Sequence, residues 1–382
     1  MQNDKITALY SQHQAGVMRL AATEGKKVVP YLDAIEAGIQ AILKRNRGKP
    51  LTAKRQADMI EAINAVSREN LQAYVKEFKA DNRVFAEYEA QFTAGIANKV
   101  VEGVAVSVPV ASSVVAVAVA TPIKVGEKTF TTYSKMLSGY WRKYADEIDG
   151  NVRAAFMDGT SSAEVANNIA ASIWDGKSST LEKAKRGART LTNTGMTHMA
   201  TSAREAMIED NDDLFMGYRF IATLDSLTSA TCRSGDQQVY KRDDPNLSSF
   251  RPPRHPNCRS SWVPEVDGRY KTDLGDTKRA SSFSAGGEYN TDADGKRTGG
   301  VSGARRDPKP VSSKQTYYEQ MGKLKAADQD NILGPTLGKA FRKMKSPDEF
   351  AKATVDTLGN PLTIAEMKAK DDKLADILNA IN

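Results

Sequence analysis

The sequence predicts a predominantly helical α+β protein, and three observations lead there. Apolar residues recur at helical spacing through most of the first 98 residues, and helix start and stop signals repeat from 134 to 209. One stretch, GYRFIATLD at 217–225, alternates as a half-buried strand does. The expected order is a helical N-terminal arm (1–98), a Val/Ala-rich extended segment (99–126) and a central module (127–274). A flexible linker (275–313) and a helical C-terminal segment (314–382) complete it.

In the arm, Tyr10, Val17, Leu20 and Ala21 keep one helical face. Val29, Leu32, Ile35, Ile39 and Leu43 form a second, and Met59, Ile63 and Val66 a third after the break at NRGKPLT. Lys44, Arg45, Arg47 and Lys49 gather at that break. They read as a solvated loop, with nucleic-acid contact as the alternative. MQNDKITALYSQHQ lacks the apolar core of a secretion signal.

The run Gly103–Ile123 carries no charge and has the length of a bilayer span. Its Val/Ala composition, with Ser107, Pro109, Ser112 and Ser113 inside it, argues instead for an extended segment covered by protein. A membrane role is not expected.

Helices follow at about 134–157, 162–174 and 180–209. Gly159 stops the first, and Ser161/Glu164 and Ser179/Glu182 have the spacing of capping boxes for the next two. In the strand that follows, Tyr218, Phe220, Ala222 and Leu224 share one face and Arg219, Ile221 and Thr223 the other. QQVY, beyond a turn at Gly235-Asp236, is its expected partner. The stretch SSFSAGGEYNTDADGKRTGGVSGARRDPKP reads as linker, and helical patterning resumes at Gln315.

Net charge is +7, from 54 basic against 47 acidic residues, a thin excess compatible with nucleic acid nearby. The chain has only two cysteines and three histidines. Both cysteines and one of the histidines fall in TLDSLTSATCRSGDQQVY and RPPRHPNCRSSWVP, which hold Cys232, His255 and Cys258. Three arrangements fit them. Zinc can take two thiolates and an imidazole, with Asp225 or Asp236 as fourth ligand. Cys232 and Cys258 can form a disulfide. Or both stay reduced and buried beside a structural histidine. Pro252, Pro253 and Pro256 stiffen the second piece in every case.

Enzyme templates are missing: there is no GxxxxGK[ST], GxSxG, HExxH or strand-linked GxGxxG. His255 beside Arg254 and Arg259 suggests a metal nuclease only faintly, since no further histidine follows. His198 sits in helical sequence and His13 in the arm without an evident partner.

LDSLTSATCRSGDQQVY with PPRHPNCRSSWVP resembles the signature of the Mu F-like head morphogenesis family of bacteriophage minor head proteins. ARTLTNTGMTHMATSAREAM, WRKYADEIDGNVRAAFMDGTSSAEVANNI and TYYEQMGKLKAADQDNILGPTLGKAF resemble further parts of it. Ser229 and Ser260 stand where many relatives carry cysteine, and Asp236-Gln237 replaces the usual Asp-Gly. The resemblance implies a non-enzymatic virion component, made in the host cytoplasm and retained in the capsid interior. It also implies the portal or major capsid protein as partner, a contribution to head assembly and to DNA packaging or ejection, and proximity to packaged double-stranded DNA. It implies no small-molecule substrate.

Overall fold

Side-chain caps set where the long helices begin. Thr52 accepts from the backbone N–H of Arg55, Thr132 from that of Lys135 and Ser179 from that of Glu182. The computed structural model describes residues 4–126, 129–159, 161–174, 179–270, 277–285, 288–291, 297–302, 305–306, 309–344 and 346–381. Helices α1 (Asp4–Lys26), α2 (Val29–Asn46) and α3 (Ala53–Val100) come first, followed by α4 (Ala111–Ala120). Strands β1 (Ile123–Lys124) and β2 (Phe130–Thr131) form a short antiparallel pair. Then come α5 (Tyr133–Asp158), α6 (Ser162–Trp174) and α7 (Thr180–Glu209). The last two match the spans read from sequence, and α5 extends its span by one residue at each end.

The apolar faces of α2 to α7 close on one core, built from residues such as Ile35, Ile63, Leu71, Val114, Ile148, Ile169 and Met199. The expected boundaries at 98 and 126 therefore do not divide the packing. Leu20, expected on the buried face of α1, is partly exposed at 40%. The Val/Ala segment departs from its expected extended form: Ala111–Ala120 is a helix, with Val114 and Ala118 buried against α3 and α7. Small unbranched Ala and stiff Val fit a helix when one face is fully covered, and tertiary packing overrides the weak strand preference. No helix among the described residues is long and apolar enough to cross a membrane.

The sheet is small. Strand β3 (Phe215–Ile221) lies between β5 (Val239–Lys241) and β6 (Ser261–Val266), antiparallel to both, with Tyr218 opposite Tyr240 and Phe220 opposite Trp262. Between β3 and β5 come β4 (Leu224–Asp225) and the short helix α8 (Ala230–Gly235). The short helix α9 (Leu247–Phe250) precedes the proline-rich loop. The alternation read for β3 holds for Tyr218, Phe220, Ala222 and Leu224, but Ile221 is buried too, because its face packs on the N-terminal turns of α1 and the end of α3. Close approach of β5 requires Gly217, since a Cβ there would come within 2.2 Å of the Tyr240 carbonyl oxygen.

The linker expected over 275–313 falls partly outside the described residues. Where described, it is tied down: β7 (Lys278–Arg279) pairs with residues 311–312, and β8 (Ser281–Ser282) runs parallel to β4. Arg279 is fully buried. Gly/Ser composition signals freedom only where no long-range ion pair fixes the chain, and here one does. Beyond it, short helices from Tyr317 to Asn379 pack around Tyr317, Phe341, Phe350, Leu374 and Leu378.

Candidate functional site: a cysteine–histidine clasp

Two chain segments meet beside the sheet. Ser229 caps α8, accepting from the N–H of Cys232 at 3.3 Å. The loop at 251–260 brings His255 and Cys258 to the same place, where Phe220 of the strand and Ala222 just beyond it form a small apolar cluster with both cysteines. Both cysteines are buried, and their sulfurs stand 3.7 Å apart, in contact without a bond. His255 Nε2 lies 3.3 Å from Cys232 Sγ and 2.8 Å from Ser229 Oγ. His255 Nδ1 lies 2.9 Å from the Pro256 carbonyl, which can only accept, so the ring proton belongs on Nδ1 and Nε2 keeps its lone pair. The ligand atoms of Cys232, His255 and Cys258 all lie within 4.8 Å of one another.

The two sulfurs share charge unequally. Donating its proton to Cys258, with burial second, pushes the Cys232 thiol up to about 12. Burial works against the Cys258 thiolate, but hydrogen bonds from Cys232 and from the residues around Arg254 and Ser260 outweigh it and bring Cys258 down to about 6. His255 rises above its ordinary value, contact with Cys232 overcoming the opposing effect of burial. The two shifts run in opposite directions, so Cys258 is the more readily ionised of the pair.

Neither carboxylate expected as a fourth ligand joins the cluster. Asp225 is held by both terminal nitrogens of Arg259 and caps the turn through the N–H of Leu227. Asp236 accepts from the N–H of Ala222 at 2.7 Å and takes both arms of the buried Arg279 at 2.9 Å. Each is satisfied by an arginine, which a metal would have to displace. The cavity at the cluster, lined by Ser229, Cys232, His255 and Ser260 among others, measures about 20 Å³. That is room for one solvent-sized atom and not for a nucleotide.

Arginines pin the loop in place. Arg251 grips Glu205 of α7 with two bonds of 2.7 Å and donates to His198 Nδ1 at 2.8 Å. Arg254, named in the sequence beside His255, is buried and donates to the carbonyls of Thr231 and Leu358 while lying over the Phe220 and Phe250 rings. It therefore joins clasp and C-terminal segment. His198 is fully buried, with Nε2 donating to the Ala118 carbonyl at 2.7 Å. His13 does have a partner: it lies 2.5 Å from Glu89, which also meets Arg204, and stacks on Phe92. Glu89 is 76 residues away, so no local pattern reveals the contact. Ser229, Arg251 and Arg279 were not visible as site residues; only the cysteine-for-serine difference at 229 marked any of them.

A helix-rich α+β protein whose small sheet is clamped by a buried Cys/His cluster and structural arginines is the class that fold and site define. Residues 146–263 match the family described as phage Mu protein F like protein, a span running from within α5 to β6 and enclosing the whole clasp. Over that span the chain is similar to the Mu F-like family, and the resemblance read from the cysteine and histidine segments is borne out there. The match ends before the likeness read at 316–341. No curated protein and no solved structure matches the chain.

Proposed function

We propose that this protein is a phage head protein that works at the portal vertex, inside the capsid, as an assembly component and not as an enzyme. The observation that carries the reading is the family match over 146–263, which coincides with the clamped module. Two features support it. The clasp has no room for a substrate, and the arginines beside His255 are committed to protein partners. The charge-free segment before and within α4 presents Val108, Val110 and Val119 to solvent, with Phe130 close behind in sequence, a surface suited to an apolar protein partner. Host cytoplasm is the place of assembly on this reading. A photo-cross-linker at Val110 should capture the portal protein in assembled heads; cross-links only to other head proteins, or none, would remove the portal from the account.

Contact with packaged duplex DNA is a second reading, favoured by the hairpin tip between α2 and α3. Lys44, Arg45, Arg47, Lys49, Lys54 and Arg55 gather there, with no acidic residue from 37 to 57. Affinity for duplex DNA that falls steeply with salt, and less steeply after charge removal at the tip, is expected. Salt-independent or undetectable binding would leave the assembly role alone. Incubation of plasmid with the protein and Mg²⁺, Mn²⁺ or Zn²⁺ should produce no cleavage, and cleavage abolished by His255→Ala would establish a nuclease instead.

A further inference from the structure

We propose that the clasp binds one zinc ion through Cys232 Sγ, Cys258 Sγ and His255 Nε2, with the Ser229 hydroxyl oxygen as the fourth ligand. The site is structural and closed. It goes beyond the head-assembly reading and does not depend on it.

The spacing of the side chains carries the inference. A tetrahedral zinc with Zn–S bonds of about 2.3 Å sets two sulfurs about 3.8 Å apart and a sulfur about 3.5 Å from an imidazole nitrogen. The corresponding separations are 3.7 Å for Cys232–Cys258 and 3.3 Å for Cys232–His255. The histidine is also prepared. Its Nδ1 proton is held by the Pro256 carbonyl, the outer hydrogen bond that commonly orients a zinc-bound imidazole and leaves Nε2 as the donor. Ser229 Oγ is 2.8 Å from that same Nε2, a hydrogen-bond contact that would open to about 3.3 Å around a tetrahedral zinc. A metal placed there meets the hydroxyl before any carboxylate, because Asp225 and Asp236 are held by Arg259 and Arg279. Borderline-soft thiolate and imidazole donors favour zinc over magnesium or calcium. The cavity of about 20 Å³ leaves no open position for a substrate, which separates this site from a catalytic zinc.

Such an ion would cross-link α8 to the loop 26 residues downstream. Through the hydrogen bond from Thr197 to the Cys258 carbonyl, it would also fix both to α7.

The full chain, purified under reducing conditions, should carry one zinc per molecule by elemental analysis, and Cys258→Ser should lose it. Replacing zinc by Co²⁺ should give tetrahedral d–d bands with sulfur-to-cobalt charge transfer from two thiolates. Ser229→Cys should raise that charge-transfer intensity by about half, as a third thiolate joins, while Ser229→Ala should weaken zinc binding by about 10-fold or more. Circular dichroism checks that each variant is folded, and the cysteine variant keeps the test alive if the alanine one is not. Wild-type protein with two titratable thiols and no metal overturns the proposal. So does a Ser229→Cys cobalt spectrum identical to that of the wild type, which would take the fourth ligand away from Ser229.

Discussion

The helical arm and the clasp are stabilised by different means. Where α2 packs on the first half of α3 the work is done by an apolar stripe, Ile35, Ile39, Ile63 and Leu71, and the buried Glu89–Arg204 pair lies farther along α3. Around the clasp the apolar cluster is small, Phe220 and Ala222 with the two cysteines, and Arg251, Arg254, Arg259 and Arg279 hold strand, loop and C-terminal segment together through carboxylates and carbonyls. Apolar packing tolerates gradual change because its contacts are many and individually weak. A buried ion pair fails sharply, because losing one partner strands the other charge. The arm should therefore loosen under mutation where the clasp should break.

Asp236→Asn is the strongest test of that contrast. It leaves Arg279 fully buried without its counter-charge, and about 3–5 kcal/mol of stability should be lost in urea unfolding, with Cys232 and Cys258 becoming reactive to a thiol reagent. A loss below about 1 kcal/mol would show that the pair contributes little and that the contrast is wrong. In the arm, Leu71→Ala removes a fully buried side chain and should cost about 2–5 kcal/mol, while the thiols stay protected under native conditions. Equal thiol exposure in both variants would mean that arm and clasp unfold as one unit.

Acid should act where the two regions meet. His198 of α7 touches α4 through Ala118 and the loop through Arg251. Burial, with the Arg251 charge second, holds it down to about 3, against an ordinary 6.5. The unfolded chain therefore binds a proton below about pH 6.5 that the folded chain refuses. Stability from this group is complete above that pH and falls by about 1.4 kcal/mol per unit as pH drops toward 3. From pH 6.5 to 5 the expected loss is about 2 kcal/mol, and a His198→Asn variant should lack this part of the slope. An unchanged slope would place the acid sensitivity elsewhere. The smallest effect is expected at Ser179→Ala, which removes the α7 cap and should cost about 1 kcal/mol, with no change in thiol reactivity.

The same contrast explains what could be read in advance. Helices α6 and α7 were legible to the residue because caps and periodicity are local: Ser179 and Glu182 lie within one turn of the start they mark. The strand, its QQVY partner and the meeting of Cys232, His255 and Cys258 were legible from alternation and rarity. The Val/Ala helix was not, since only burial of Val114 and Ala118 by other helices decides its form. Nor were the ion pairs, which span 34 residues for Arg259–Asp225, 43 for Arg279–Asp236 and 115 for Arg204–Glu89. Arg279 sat in sequence that resembles linker, and Asp236 looked available to a metal for the same reason: the partner that occupies it is remote.

The most direct test of the whole account is where the protein sits in purified heads and in what number, read by cryo-electron microscopy with quantitative mass spectrometry. The account predicts a low-copy component inside the capsid with density against the portal. Absence from heads, or a copy number matching the capsid lattice with no portal density, would contradict it.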